Sequence, residues 1–195
     1  MAWRVGSSRG GRTHPRRTGG GHERRFGLAE QTLTRIEISK DYLNFSAGHF
    51  TIFSATEREN LHGHNFQVRC AVTAAVGPNG LAFDYVELKQ VLKALCDTFD
   101  EQLLLPELSP YLRLERQQGQ VVALFADERM TFLERDVLLL PIRNVTIEEL
   151  APLLLERLRD RPELADMRLQ RIELGVSSGS GQWAVASSGP PQIGS

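Results

Sequence analysis

Cysteine is scarce in this 195-residue chain. Cys70 and Cys96 are its only two, too few for a disulfide framework or a cysteine-only metal cluster, so nothing points to an oxidising compartment. Long apolar runs are missing as well. No stretch approaches the roughly 18 residues that a membrane-spanning helix needs, which sets aside an integral membrane protein. Neither sign of charge dominates the whole chain, whose formal net charge is −1. That balance conceals a division. Residues 1–25 hold seven arginines and one acid, Glu23, and stand at +6; the other 170 residues hold 16 basic and 23 acidic side chains and stand at −7. The globular part has no basic stripe, which argues against nucleic-acid binding by the fold itself. Internal repeats are absent.

What is present suits a soluble globular protein: 41% hydrophobic and 24% charged residues, enough for one sizeable core or at most two small ones. Residues 1–30 are rich in Arg, Gly, Ser and Thr and cannot bury enough apolar surface to fold, so a disordered leader is expected there. It lacks the apolar segment of a secretory signal; a transit peptide and an RNA-binding arm remain as further readings. The expected domain spans 31–187 and a frayed tail 188–195. The expected location is cytoplasmic, with organellar targeting by the leader left open.

Along the domain, Ile36 and Ile38 alternate with polar residues, and the run continues as an extended segment through Tyr42, Asn44 and Ser46. Phe66, Val68, Cys70, Val72, Ala74 and Val76 alternate as in a half-buried strand. Gly77-Pro-Asn-Gly80 predicts a turn into a short strand at 81–83. Leu88, Val91, Leu92, Leu95 and Phe99 share one helical face, predicting a helix over about 86–99. Gln120–Phe125 and Arg129–Phe132 read as an inserted hairpin. Thr146 and Glu149 have capping-box spacing before a second helix with the stripe Leu150, Leu154, Leu155 and Leu158. Ile172, Leu174 and Val176 mark a late strand, paired with 183–186. The order predicts an α+β fold, with two helices on one face of an antiparallel sheet. Cys70 and Cys96 read as core residues, and Lys89 and Lys93 as solvated.

The strongest chemical signal is His62-Gly-His64. Residues two apart on an extended segment point to the same face, so two imidazoles converge, and Gly63 leaves room for a close approach. His49 ends the preceding extended segment, which would lie antiparallel and adjacent. Three neutral imidazoles at about 2.0–2.1 Å with a fourth position open is the arrangement of catalytic zinc. The competing reading is a set of core histidines, since His62 and His64 share parity with Phe66 and Val68.

Phe45-Ser-Ala-Gly-His49, Leu61-His-Gly-His-Asn-Phe66 and Gly80-Leu-Ala-Phe-Asp-Tyr85 form a succession that resembles the 6-pyruvoyl-tetrahydropterin synthase family, which includes the 6-carboxy-tetrahydropterin synthases of queuosine biosynthesis. The resemblance covers about residues 32–186. Residues 132–151 resemble a longer, archaeal-type branch with an extra hairpin. The resemblance implies a tunnelling fold whose subunits assemble, as a trimer or hexamer, with active sites between neighbours. It implies a zinc ion held by His49, His62 and His64, gripping the side-chain hydroxyls of 7,8-dihydroneopterin triphosphate so that a base can start triphosphate elimination or side-chain cleavage.

Three positions depart from that pattern. The family's usual base is a cysteine shortly before the paired histidines; here the segment is Glu57-Arg-Glu-Asn-Leu61. Glu59 matches the glutamate of a branch that releases 6-hydroxymethyl-dihydropterin toward folate. As a general base its carboxyl, with a reference pKa of about 4.3, would need raising by burial; the alternative is a solvated acid beside Arg58. The family's relay Asp-His reads Asp100-Glu101. The strand glutamate that anchors the pterin is replaced by Val176, and Glu173 lies on the opposite parity. Thr146 and Glu148 match the family's Thr-x-Glu near the pterin pocket. The expected activity is thus a zinc-dependent pterin lyase; the alternative is a zinc- or pterin-binding member without lyase chemistry. A third reading puts the activity on RNA through the basic leader, with the histidines in a metal-free core.

Overall fold

The computed structural model describes residues 32–189. The leader expected at 1–30, and the part of the tail beyond residue 189, lie outside the described residues. Strand β1, Leu33–His49, runs antiparallel to β2, His62–Ala75, and their pairing ends with His49 opposite His62. Beyond β2 the chain enters helix α1, Tyr85–Asp97, whose N-terminus is closed by Asp84 accepting from the Val86 N–H at 2.8 Å. Strands β3 (Gln102–Pro106), β4 (Leu112–Gln117), β5 (Gln120–Phe125), β6 (Glu128–Leu133) and β7 (Val137–Leu140) follow. Helix α2 (Ile147–Arg159) then precedes β8 (Arg171–Ser177) and β9 (Ala184–Ser188). Strand β9 therefore enters the first residue of the expected tail.

The six-stranded sheet has the order β7-β3-β1-β2-β8-β9. Its β1-β2-β8-β9 part is antiparallel, as alternation predicts, but β3 runs parallel to both β1 and β7. The expectation of a wholly antiparallel sheet is corrected by these two strands. Alternation could not show them because they are buried on both faces. Leu104 and Leu140 join the helix-side core, while Leu105 belongs to a second core, with Leu103, Val137 and Leu139 packed against it. That second core is roofed by a three-stranded antiparallel sheet, β4-β5-β6. The predicted hairpin is two of its strands. The third, Leu112–Gln117, went unseen because its burial is intermittent.

Helices α1 and α2 lie against one face of the main sheet, and Leu88, Leu92, Leu95, Leu150, Leu154 and Leu158 are fully buried there. The opposite face of β1, β2 and β8 is polar: Arg35 bridges to Glu173 at 2.8 Å, and the Arg69 guanidinium lies 4.4 Å over the Trp183 ring. Glu173 is thus on the face away from the helices, as its parity predicts.

Two local expectations fail. Residues 81–83 form bends rather than a strand; the turn before them is real, with the Gly77 N–H on the Leu81 carbonyl at 2.8 Å and Gly80 at a φ of 79°. The capping box at α2 does not form. Thr146 makes no side-chain cap bond, and the Glu149 carboxylate instead accepts from Arg143 Nε at 2.9 Å. An arginine outside the helix outcompetes the reciprocal cap because its hydrogen bond is charge-assisted.

The feature that most affects function is an irregularity in β1. Ser39 pairs with Arg69, but the next pair is Asn44 with Gln67, so β1 spends five positions where β2 spends two. The three extra residues invert parity. Before the bulge the inward residue is Ile38; after it they are Leu43, Phe45, Ala47 and His49. Without the inversion His49 would point away from the helices.

Candidate metal centre and pocket

His49, His62 and His64 converge on the helix-side face at the end of the β1–β2 pair, each offering a ring nitrogen within 4.8 Å of the others. Phe66 floors the group, its ring centroid 5.4 Å from that of His49 and 5.7 Å from that of His64. Two backbone carbonyls set the ring orientations: Nδ1 of His49 donates to the Val145 carbonyl at 2.9 Å, and Nδ1 of His62 to that of Asn60 at 2.8 Å. A neutral imidazole with its proton on Nδ1 presents a bare lone pair at Nε2. These are the outer hydrogen bonds that orient metal-binding histidines.

The histidines fit a metal on a direct observation. Nε2 of His49 is buried and has no hydrogen-bond partner among the described residues, a costly state for a polar atom that a ligand bond would relieve. Nε2 of His62 and of His64 are 3.0 Å apart, close to the ~3.3 Å separation of two nitrogens bound tetrahedrally to one zinc. Burial, with the field of His62 adding to it, lowers the His49 pKa despite the Val145 hydrogen bond, so the ring stays in the neutral, ligating form at neutral pH.

Glu59 stands beside this cluster, its Oε2 4.0 Å from Nε2 of His62. The loop that carries it folds back on β1's continuation: the Glu59 N–H donates to the Thr51 carbonyl at 2.8 Å, and the Thr51 N–H to Glu59 Oε2 at 3.0 Å. Burial alone would push the carboxyl up, but the Thr51 hydrogen bonds and the neighbouring His62 and His49 outweigh it and hold it below its ordinary value. The raising by burial that a strong general base would need is therefore not found at this carboxyl. Arg58 does not neutralise it. That guanidinium bonds Glu128 at 2.8 Å, donates to the Glu59 carbonyl at 2.7 Å and lies 5.0 Å over the Phe50 ring, anchoring the loop to the β4-β5-β6 sheet.

Glu59, the three histidines, Thr146 and Glu148 all line one cavity of about 460 Å³, closed on a further side by Ser178 and Gln182. Asp100 and Glu101 do not line it. Asp100 accepts from the Ser46 N–H at 2.7 Å, and the Glu101 N–H donates to the Ser46 carbonyl at 2.7 Å. Glu101, held at a φ of 58°, lines a larger cavity of about 830 Å³ together with Ser46, Gly63, Asn65 and two of the histidines, so that His62 and His64 border both cavities. A Cβ on Gly63 would meet only the Ala47 carbonyl oxygen, at an ordinary 3.5 Å, so the convergence of the histidines does not depend on glycine there. Val176 is buried in the core and faces neither cavity.

Sequence reasoning missed Val145 and Asn60, which act through backbone carbonyls that any residue type supplies. It also missed Asn144, whose side chain accepts from the Ile52 N–H at 3.1 Å and donates to the Ile52 carbonyl at 2.8 Å. That amide ties the segment before α2 to the loop after β1, and so holds Val145 against His49.

Residues 37–187 match the family model described as 6-pyruvoyl tetrahydropterin synthase. A Methanocaldococcus jannaschii protein provisionally named 6-carboxy-5,6,7,8-tetrahydropterin synthase is 27% identical over 144 residues, 73% of this chain and 88% of that protein. The 6-pyruvoyl tetrahydropterin synthase of Plasmodium falciparum superposes with a TM-score of 0.75 at 28% identity, over 81% of this chain and 99% of that one. The Plasmodium vivax enzyme gives 0.76 at 24% identity, over 82% and 99%; two further structures of it exchange a glutamate, described as a catalytic residue, for alanine and for cysteine. These neighbours share the α+β tunnelling architecture. A family match spanning nearly all the described residues, on that fold, shows that the chain belongs to the 6-pyruvoyl tetrahydropterin synthase family of pterin synthases.

Proposed function

We propose that this protein is a zinc-dependent lyase of the 6-pyruvoyl/6-carboxy-tetrahydropterin synthase type, acting on 7,8-dihydroneopterin triphosphate or a related pterin. The observation that carries the reading is the single cavity that gathers three imidazoles with aligned Nε2 atoms, an ionised Glu59 4.0 Å from His62, and Thr146 with Glu148. His49, His62 and His64 would hold the zinc. Bound there, it supplies a Lewis acid that acidifies the substrate's side-chain hydroxyls. Glu59 is the base: it is ionised and so open to a proton, its lowered pKa making it a weak base whose effect comes from its position, and Thr51 and Arg58 hold it in place. Thr146, whose hydroxyl is not spent on capping, and Glu148 orient the heterocycle at the first turn of α2. A glutamate described as catalytic in the Plasmodium vivax relative supports the choice of Glu59 over a cysteine.

Glu101 shares the larger cavity with His62 and His64, while Asp100 lines neither cavity and accepts from the Ser46 N–H. A homo-oligomer, trimer or hexamer, is the assembly we propose with this reading, Glu101 of one copy completing the proton path of another.

The test is product analysis by mass spectrometry after incubating the zinc-loaded protein with 7,8-dihydroneopterin triphosphate. Loss of triphosphate or of a side-chain fragment, abolished in Glu59→Gln and His62→Ala, supports the lyase, and the product mass names its branch. Unchanged substrate beside a full zinc load overturns it in favour of binding without chemistry. Val176 is the observation on that side, since it leaves the strand without a carboxylate for the pterin.

A further inference from the structure

A third cavity, of about 290 Å³, lies at the other end of α2, between the helix C-terminus, the 3-10 turn Pro162–Met167 and the start of β8. The 13-residue helix separates it from the Thr146 end by about 18 Å. In sequence, residues 159–168 are electrically neutral: Arg159, Arg161 and Arg168 alternate with Asp160, Glu163 and Asp166. The fold sorts them. All three arginines line the cavity, over an apolar floor of Leu164, Leu169 and Ile172, and none of the three acids does. Among the described residues, none of the six side chains makes an ion pair or a hydrogen bond.

Two ordinary explanations fall short. A cation near a helix C-terminus complements the helix dipole, which accounts for Arg159 but not for Arg161 and Arg168, which lie beyond the helix. Solvation alone gives no reason for three arginines to border one concavity while the neighbouring acids do not; Arg168, at φ 49° and ψ 42°, ends the 3-10 turn in the left-handed conformation common at such termini and is carried to the cavity by it. Three guanidiniums around one concavity, without protein carboxylates, form a receptor for an oxyanion with several acceptor oxygens, which arginine binds in bidentate fashion. The cavity lies at the small end of the roughly 300–1,000 Å³ range of ligand pockets, which suits a small anion rather than a macromolecule.

We propose that this cavity binds a small multivalent phosphate anion, an oligophosphate or a phosphate ester, at a site separate from the histidine cavity. The inference assumes nothing about the reaction there. The probe is inorganic tripolyphosphate, titrated calorimetrically into the full chain, with pyrophosphate and phosphate as arms of lower charge. Binding at one site is expected, weakening from tripolyphosphate to phosphate and with added salt. It should be equal in zinc-loaded and zinc-free protein. The double variant Arg161→Ala/Arg168→Gly should bind about tenfold more weakly or worse. Glycine accepts the backbone conformation of residue 168, so this variant should keep its melting temperature, which separates lost binding from lost folding. Asp166→Asn, outside the cavity, should bind as the parent does. No tripolyphosphate binding by the parent chain overturns the proposal. So does undiminished binding by the double variant, which would trace the anion to the arginines of residues 1–25 or to the histidines.

Discussion

The two sides of the sheet at the end of β1 and β2 are built from alternate residues of the same two strands, yet they differ in kind. On the helix side, His49, His62 and His64 converge with Glu59 in a cavity of about 460 Å³. On the reverse side, Ser46, Gly63 and Asn65 open onto a cavity of about 830 Å³ with Leu103, Phe132 and Glu101, which His62 and His64 also line. The larger hollow is not the one with convergent chemistry. It has apolar walls, the acids Glu101 and Asp136 and two of the three histidines, but neither His49 nor Glu59. Volume alone is therefore a poor guide to the site; orphaned lone pairs and oriented rings are better ones.

The largest expected effect lies on the helix side. His62→Ala should remove bound zinc, measured by plasma mass spectrometry, and reduce turnover by more than the roughly 10–100-fold that loss of a ligand's supporting hydrogen bond costs. Asn65→Ala, one residue beyond His64 and on the reverse side, should keep its zinc. If both lose it, the distinction between the two sides fails.

Glu59→Gln should leave zinc in place and lower kcat by about 10²–10⁴-fold, the range for loss of a general base. A drop in metal content instead would make Glu59 a ligand.

The same two sides meet again at β3. Leu104→Ala on the helix side and Leu105→Ala on the other should each cost about 2–5 kcal/mol in denaturant unfolding, because each empties a separate, fully buried site. A small loss at Leu105 alone would show that the second core is dispensable.

Glu101→Gln is expected to lower turnover by roughly tenfold with zinc unchanged, the low end for a proton-transfer partner. Mixing it with Glu59→Gln should restore part of the activity, because each copy then lacks a different side of a shared site. No recovery in mixed oligomers breaks that link.

The smallest effect concerns acid. His49 has a folded pKa below its usual 6.5, so the unfolded chain takes up the proton first. Its contribution to stability is complete above about pH 6.5 and is lost as pH falls through the lower, folded value. Thermal melts of zinc-free protein should be level above that point and decline below it, and a His49→Gln variant should show less of the decline.

Where one face of a strand is buried and the other wet, the alternation was readable: Phe66 to Ala74, and Ile172 to Val176, fall where the pattern places them, while Val76 lies just past the strand's end. The paired histidines were readable for the same reason, since His62-Gly-His64 continues the period of Phe66 and Val68. β3 and β7 were not readable, because strands covered on both faces show no period. The cavity's carboxylate and hydroxyl partners were named from motif resemblance, whereas Arg58, Thr51, Asn144 and the Val145 carbonyl could emerge only when distant segments came together.

By itself, then, the amino-acid order determined the alternating strands, the two amphipathic helices and the identity of the three imidazoles, because each depends on side-chain type repeating at a local period. The tertiary structure alone decided that His49 faces its partners. Only cross-strand pairing reveals the three extra residues in β1 that reverse its parity. It also decided that Glu59 stays ionised, that Glu101 enters the larger cavity and Asp100 neither, and that three arginines leave their neighbouring acids to line one cavity. Each of these is set by what surrounds a residue in space, which its neighbours along the chain do not specify.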